Sequence, residues 1–221
     1  MTRQFVLALG LILGGCATTH VTAFRDPAFS GRQYSHLAVF VLGTSLAARQ
    51  DLEQRICKGV APTGCSMGVS VLPPVRDYTA DEMGAYIHQS GADAVLILTA
   101  GADRSHSGVA GYYSLSNGQA TTTANTSGTI NTYGNTGTYQ GTTNAETYST
   151  GQTTTLPIMY YSRAAVGDVQ LFDVSAGRVA WKGEMQTSGQ GMIATSDDAF
   201  MSSEASKLAD ELRSAGLIAR R

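Results

Sequence analysis

Four polar residues that lie close together in the chain could form a catalytic group. Asp103 and His106 could act together as a general base. Ser105 and Ser107 carry the hydroxyl groups that such a base would activate as nucleophiles. These residues lie where a predicted strand runs into a polar insert, however, so a solvated loop is the alternative that we favour. We therefore expect that the protein is not an enzyme.

The sequence contains no pattern that is typical of a metal or phosphate site. The glycines of the polar insert at about residues 105–161 do not follow a strand and open a helix, as a phosphate-binding loop requires. Each histidine falls in a different segment, and no two have the spacing of zinc ligands. The formal charge of -2 predicts no basic surface for nucleic acid. We expect no cofactor, no metal and no nucleic-acid partner. The four histidines are His20, His36, His88 and His106.

Two cysteines in the first half of the chain are candidates for a disulfide. Cys57 and Cys65 flank a turn that contains Pro62 and Gly64. An oxidising compartment would favour their pairing, and in the loop-entropy model so short a bridge contributes about 2–3 kcal/mol. Buried free thiols are one alternative, and a metal site is another that lacks further ligands. We predict a structural disulfide rather than an active site.

The first fifteen residues have the pattern of an export signal. Arg3 supplies a positive charge, an apolar run extends from Phe5 to Leu13, and two glycines precede Cys16. The run is too short for a helix that crosses a bilayer, which needs about 20 residues. An ordinary secretory signal or a buried N-terminal helix is the alternative.

Residues 13–16, Leu-Gly-Gly-Cys, resemble the lipobox of bacterial lipoproteins. The resemblance implies that residues 1–15 are a signal peptide and that Cys16 is lipidated. Several acyl chains would make the anchor effectively permanent, because each buried methylene contributes about 0.8 kcal/mol. Ala17 stands where an aspartate would signal retention in the inner membrane. The resemblance therefore also implies the inner leaflet of the outer membrane, with the protein facing the periplasm.

The remainder of the chain predicts a tether followed by one α/β domain. Residues 16–33 are polar and are expected to form an irregular tether. The domain, residues 34–221, opens with buried strands at residues 36–42, 67–72 and 94–98, separated by helices. This order is typical of crossover units and of a mainly parallel sheet.

Capping residues support the two helices between these strands. Thr44 or Ser45 can accept hydrogen bonds at the start of the first helix. Thr79 and Glu82 form a capping box at the start of the second, and Gly91 is placed to end it.

A polar insert at about residues 105–161 interrupts the pattern. It is rich in Thr, Gly, Asn, Ser and Tyr, and Glu146 is its only charged residue. Such a segment buries too little apolar area to offset about 1–2 kcal/mol per residue of backbone ordering entropy. We expect a mostly disordered, solvated loop that the fold does not need. A long irregular hairpin is the alternative, because Thr and Tyr favour strands.

The last part of the chain predicts a hairpin and a helix. Strands are expected at residues 169–174 and 179–185, joined by a short turn, with Trp181 in the core. Ser196 can cap the final helix. The predicted fold class is therefore α/β, a mixed, mainly parallel sheet in the order β-α-β-α-β-insert-β-β-α with helices packed on it.

Two further stretches, together with the lipobox, resemble a known group of proteins. They are residues 90–96, Ser-Gly-Ala-Asp-Ala-Val-Leu, and the hairpin at residues 171–181. The group comprises small periplasmic lipoprotein domains, similar in fold to penicillin-binding-protein activator lipoproteins, the TolB N-terminal domain and the globular part of curli-secretion lipoproteins. The resemblance implies a fold and a habit of protein binding, and it carries over no catalytic residue.

Taken together, these patterns indicate a lipid-anchored protein of the cell envelope. We expect a non-enzymatic module that is attached to the membrane through its lipid and binds another envelope protein, whose identity the sequence leaves open. The alternative is a structural or secretion component that oligomerises through the insert as a β-hairpin. An enzyme is the third possibility.

Overall fold

The computed structural model describes residues 16–133 and 136–220. The predicted signal peptide, residues 1–15, lies outside them. The chain divides into two compact units. The first consists of Met1–Gly108 with Tyr160–Arg221, and the second is Val109–Met159.

The described residues form a sheet with helices packed on it. The strands are β1 Thr18–Arg25, β2 His36–Leu42, β3 Gly64–Met67, β4 Ala94–Tyr133, β5 Thr136–Asp173 and β6 Arg178–Gln190. The helices are α1 Leu46–Val60, α2 Gly68–Val71, α3 Ala80–Gln89 and α4 Asp197–Ser214.

The sheet is mixed and has the strand order β1-β6-β5-β4-β2-β3. Strand β2 runs parallel to both of its neighbours, β3 and β4. Strand β6 runs antiparallel to β1 and to β5. The predicted α/β class is confirmed.

Apolar residues cover both faces of the sheet. In β2, Leu37, Val39 and Val41 belong to the larger core cluster, whereas Ala38 and Phe40 belong to a second cluster on the other face. This follows from the period of two along a strand, and it explains why β2 is a continuous apolar run. Helices α1 and α4 supply the larger cluster, and α2 and α3 contact the smaller one.

The end signals of the helices act as the sequence predicts. Ser45, rather than Thr44, caps α1, and Ser196 caps α4. The capping box of Thr79 and Glu82 is present at the start of α3. Trp181 is 2% exposed and lies in the larger cluster, as predicted.

Strand β1 lies in the segment that we expected to be an irregular tether. It pairs with β6 from Thr18 opposite Ser188 to Arg25 opposite Trp181. Its core-facing positions include Thr19, which is polar, and the outward Phe24 is 78% exposed. The sequence of β1 therefore lacks a clear alternation of apolar and polar residues. Its extended conformation is stabilised instead by backbone pairing with the edge of β6.

The predicted strand at residues 67–72 is shifted toward the N-terminus. Strand β3 ends at Met67, and the next four residues form the helical turn α2. A side chain at position 68 would overlap the ring of Phe40, so only Gly68 fits there. The amide of Val69 donates a hydrogen bond to Glu53 Oε2 at 2.9 Å. Because this amide is paired with a side chain, it does not continue the strand pairing of β3 with β2.

The insert forms strands. Strand β4 continues to Tyr133, β5 begins at Thr136, and the two are neighbours in the sheet. The expectation of a disordered loop is wrong for the described residues of the insert, which form neighbouring strands as the hairpin alternative requires. Paired strands satisfy each other's amide and carbonyl groups, so order does not require large apolar side chains at every position.

Cys57 of α1 and Cys65 of β3 form the predicted disulfide, with their Cα atoms 5.3 Å apart. Both side chains pack against the larger core cluster. The bridge joins the end of α1 to the strand that follows it.

Candidate functional site

The sheet topology creates a cleft at the carboxyl end of β2. Strand β3 lies on one side of β2 in the sheet, and the next strand along the chain, β4, lies on the other side. Such a switch point opens a crevice where ligands commonly bind in open α/β sheets. A cavity of about 110 Å³ lies there, lined by residues of the sheet, α1 and α4. We call it the switch-point cleft.

The switch-point cleft is small and largely apolar inside. Leu52, Leu98 and Met185 contribute to its walls. Small-molecule sites usually enclose about 300–1,000 Å³, several times this volume. The cleft therefore has room for a few water molecules or one short side chain.

Arg163 is the central charge of the cleft. Its Nη2 donates to Asp103 Oδ2 at 2.6 Å and its Nη1 to Asp197 Oδ1 at 2.6 Å. Nη1 also donates to the carbonyl of Thr195, and the guanidinium lies 4.5 Å from the ring centroid of Phe200. The hydrogen bonds to Asp103, and then those to Asp197, raise the pKa of Arg163 although burial opposes them. This clamp ties β4 and β5 to the first turn of α4.

Glu204 of α4 is a further ionisable group in the cleft, beside Asp103, Arg163 and Asp197. Burial raises the pKa of its carboxyl, and the hydrogen bond with Thr187 and the charge of Arg163 offset only part of that rise. Thr187 is buried, and its hydroxyl lies 3.0 Å from that of Thr19. The Thr19 hydroxyl in turn lies 2.7 Å from Ser203 Oγ. A chain of buried and half-buried polar groups thus connects α4, β6 and β1.

Replacing Glu204 with glutamine is expected to stabilise the protein at neutral pH. Because the folded pKa is raised, the folded state favours the protonated carboxyl, and its contribution is lost as pH rises through that pKa. The variant should therefore exceed wild type in melting temperature at neutral pH and match it at about pH 4, near the unfolded pKa of glutamate. Melting curves at the two pH values measure this difference. Glu184→Gln, on the exposed face of β6, is the matched control for the change of side chain. A variant less stable than wild type at neutral pH would contradict the assignment.

The structure separates the residues of the catalytic alternative. Both carboxylate oxygens of Asp103 accept hydrogen bonds from Arg163, and within the described residues no hydrogen bond joins Asp103 to His106. Ser105 and Ser107 are exposed on β4. The geometry around Asp103 is that of a structural ion pair.

No metal site and no membrane-spanning helix occur in the described part of the chain. Residues 16–133 and 136–220 contain no group of three His, Cys, Asp or Glu side chains that could hold a metal ion. None of the helices within these ranges has the length and apolar character needed to cross a bilayer. His36 Nε2 instead lies 2.9 Å from Ser66 Oγ, which links β2 to β3.

Asp93, in the Gly-Ala-Asp stretch, has a structural role that the sequence did not reveal. Its carboxylate accepts hydrogen bonds from the amide of Ser35 at 2.7 Å and from that of His36 at 3.0 Å. Burial raises the pKa of Asp93, but these hydrogen bonds outweigh it and hold the pKa below the usual value. The residue thereby joins the starts of β2 and β4.

Cys16 lies exposed at the first described position, beside α4. The carbonyl of the next residue, Ala17, accepts a hydrogen bond from Ser203 Oγ at 3.1 Å. Cys16, Ile193 and Lys207 line the same shallow surface hollow. The predicted lipid attachment point is therefore held against the domain.

Comparisons with known proteins do not assign a family. No protein-family model and no curated protein matches the chain. Among solved structures, it is similar to a point variant of the PelC dodecamer from Paraburkholderia phytofirmans, at 16% identity and a TM-score of 0.45. A second crystal form of the PelC dodecamer from the same organism gives 14% and 0.43. Each alignment covers 92% of this chain and 100% of the other. Likeness at this level carries no argument about function.

Proposed function

We propose that this chain is a lipid-anchored protein of the bacterial cell envelope, held at the membrane through Cys16. The observation that carries the proposal is the string Leu-Gly-Gly-Cys at residues 13–16, which follows a positive charge and an apolar run. The exposure of Cys16 supports it, because the sulfur can carry acyl chains without disturbing the core.

The anchored domain, in this proposal, is a non-enzymatic module that binds another envelope protein. Two features indicate that the switch-point cleft is not a substrate site. Its volume of about 110 Å³ leaves little space for a substrate. Arg163, its cation, is already paired with Asp103 and Asp197. The surfaces of the sheet and helices remain as places for a protein partner.

Replacing Cys16 with serine is expected to abolish fatty-acid labelling and to leave unprocessed precursor, because serine has no thiol to acylate. Metabolic labelling with a radioactive fatty acid and fractionation of the envelope measure both effects. Ala17→Asp is the matched control, since it should keep the labelling and change only the membrane to which the protein is sorted. A Cys16→Ser protein that is processed and fractionates like wild type would show that the anchor is wrongly assigned.

A second candidate function is assembly between copies through the unit Val109–Met159. Strands β4 and β5 run through this unit, and several large apolar side chains that the structure describes in it are exposed. Exposed apolar side chains grouped in one small unit are typical of protein–protein contact surfaces. They are Val109, Tyr112, Tyr113, Leu156, Ile158 and Met159.

Deletion of residues 109–159 tests this second candidate. A side chain at Gly108 would strike the ring of Tyr160, so these two residues are adjacent and a short Gly-Ser linker can join them. Both core clusters lie outside the deleted unit, and loop-closure entropy changes slowly with length, so the melting temperature should move by only a few degrees. Light scattering then gives the oligomeric state. An oligomer that becomes a monomer on deletion supports assembly through the unit, and an unchanged state contradicts it.

A further inference from the structure

The loop between β6 and α4 presents two neighbouring large apolar side chains to solvent. Met192 and Ile193 are each 71% exposed. Single exposed apolar residues are common, but two consecutive ones in a six-residue loop make a defined patch. We call Met192 and Ile193 the apolar loop.

The apolar loop is held firmly in place. Gly191 donates its amide to the carbonyl of Tyr161 at 2.9 Å, and Thr195 returns a hydrogen bond to the carbonyl of Gly191 at 3.1 Å. Ser196 Oγ donates to the carbonyl of Ile193 at 2.7 Å. Ala194 is 1% exposed. The exposure of the two apolar side chains is therefore a consequence of the local fold and not of a loose segment.

The apolar loop lies beside the predicted lipid attachment point. Ile193 and Cys16 line one hollow, together with Lys207 and Asp210. Ala17 is hydrogen-bonded to α4, and β1 begins at Thr18. The chain has no slack between Cys16 and the domain, since one residue spans at most about 3.6 Å. Acyl chains on Cys16 would draw this surface against the bilayer.

Resting on the proposed lipid anchor, we propose that Met192 and Ile193 insert into the membrane surface next to the lipidated cysteine. The occupant of this patch is a phospholipid bilayer. Lys207 on the same hollow suits anionic headgroups, although Asp210 reduces the net charge there. The anchor and the apolar loop then hold one face of the domain against the membrane. A domain attached only through a flexible tether would have no fixed orientation.

Tryptophan substitution tests the insertion. The lipid-modified protein is reconstituted into vesicles of phosphatidylethanolamine and phosphatidylglycerol whose acyl chains carry bromine, a contact quencher of tryptophan fluorescence. Ile193→Trp reports on the apolar loop, and Val75→Trp, at a position 82% exposed between α2 and α3, is the matched control. The wild-type signal of the buried Trp181 supplies the baseline.

We expect the added tryptophan at position 193 to shift its emission to the blue and to be quenched severalfold more than the one at position 75. Equal quenching at the two positions in an acylated protein would overturn the insertion and leave the anchor standing. The intact mass of the same preparation distinguishes the two failures. An unmodified Cys16 would overturn the anchor and, with it, the inference drawn from it.

Discussion

Replacing Glu53 with alanine is expected to lower the free energy of unfolding by about 3–5 kcal/mol, the range seen when one partner of a buried charged pair is removed. Its carboxylate is fully buried. Oε1 accepts hydrogen bonds from the amide of Val41 at 3.1 Å and from Arg49 Nε at 2.9 Å, and Oε2 accepts one from the amide of Val69 at 2.9 Å. Alanine would leave two backbone amides and a guanidinium without this acceptor.

Urea unfolding, followed through the fluorescence of Trp181, measures the effect, because that side chain is the only tryptophan and lies in the core. Gln54→Ala, at the exposed neighbouring position of α1, is the matched control and should change stability by less than about 0.5 kcal/mol. Glu53→Gln should fall between the two, because its amide oxygen can still accept from one amide while its NH2 group faces the other. A loss no larger than that of the control would mean that Glu53 does not hold these segments together.

Replacing Asp173 with alanine is the second large expected loss, about 1.5–3 kcal/mol, the range for a hydrogen bond to a charged group. The carboxylate is 1% exposed. Oδ1 accepts hydrogen bonds from Ser175 Oγ at 2.6 Å and from the amide of Ala176 at 2.8 Å, which shape the turn between β5 and β6. Oδ2 accepts one from Tyr34 Oη at 3.2 Å and pairs with Arg32 Nε at 3.0 Å.

The pH dependence of stability in the Asp173 variants distinguishes the contribution of the carboxylate charge from that of the hydrogen bonds in the turn. Burial raises the pKa of Asp173, but the hydrogen bonds from Ser175, Ala176 and Tyr34, with the charge of Arg32, hold the pKa below its usual value. Its contribution to stability is therefore fully present above the unfolded pKa of about 3.9 and is lost as pH falls through the lower folded pKa. Tyr34, which donates a hydrogen bond to Asp173, is affected in turn: burial and then the charge of Asp173 raise its pKa to about 12.

Asp173→Asn keeps an oxygen for the turn and removes the charge, so it should be less destabilising than Asp173→Ala at neutral pH. Its deficit relative to wild type should be smaller at an acidic pH below the unfolded pKa of about 3.9 than at neutral pH, because the contribution of the carboxylate decreases there. Urea titrations of the three proteins at both pH values provide the comparison. A deficit that stays constant between the two pH values would assign the loss to shape alone and contradict the role of the charge.

The elements that the sequence predicts best are those with strong local signals. The apolar run of β2 and the capping box of Thr79 and Glu82 depend on residues within a few positions of each other. The hairpin of β5 and β6 is similar, because Gly177 takes the positive φ of 62° that its turn needs. In these places local propensity and the final fold favour the same conformation.

The candidate site was only partly visible in the sequence. Cys16, Cys57 and Cys65 stand out by residue type and neighbours alone. The sequence marks Asp103 as a candidate base, but Arg163, its actual partner, lies 60 positions away. Nothing in the sequence distinguishes Glu204 from the other carboxylates of the last helix, because only the packing of α4 on the sheet withdraws its side chain from solvent.

By itself, the sequence determined the alternation of strands and helices, the helix ends, the disulfide pair and the export-signal pattern that ends at Cys16. Each depends on residues close together in the chain, where sterics and hydrogen bonding act directly. The tertiary structure decided that residues 18–25 form an edge strand, that the insert forms strands, and that Glu53 is buried to accept two distant amides. These outcomes depend on which backbone amide and carbonyl groups remain unpaired after the core has packed. Those groups find partners far away in the sequence, so local residue patterns do not reveal them.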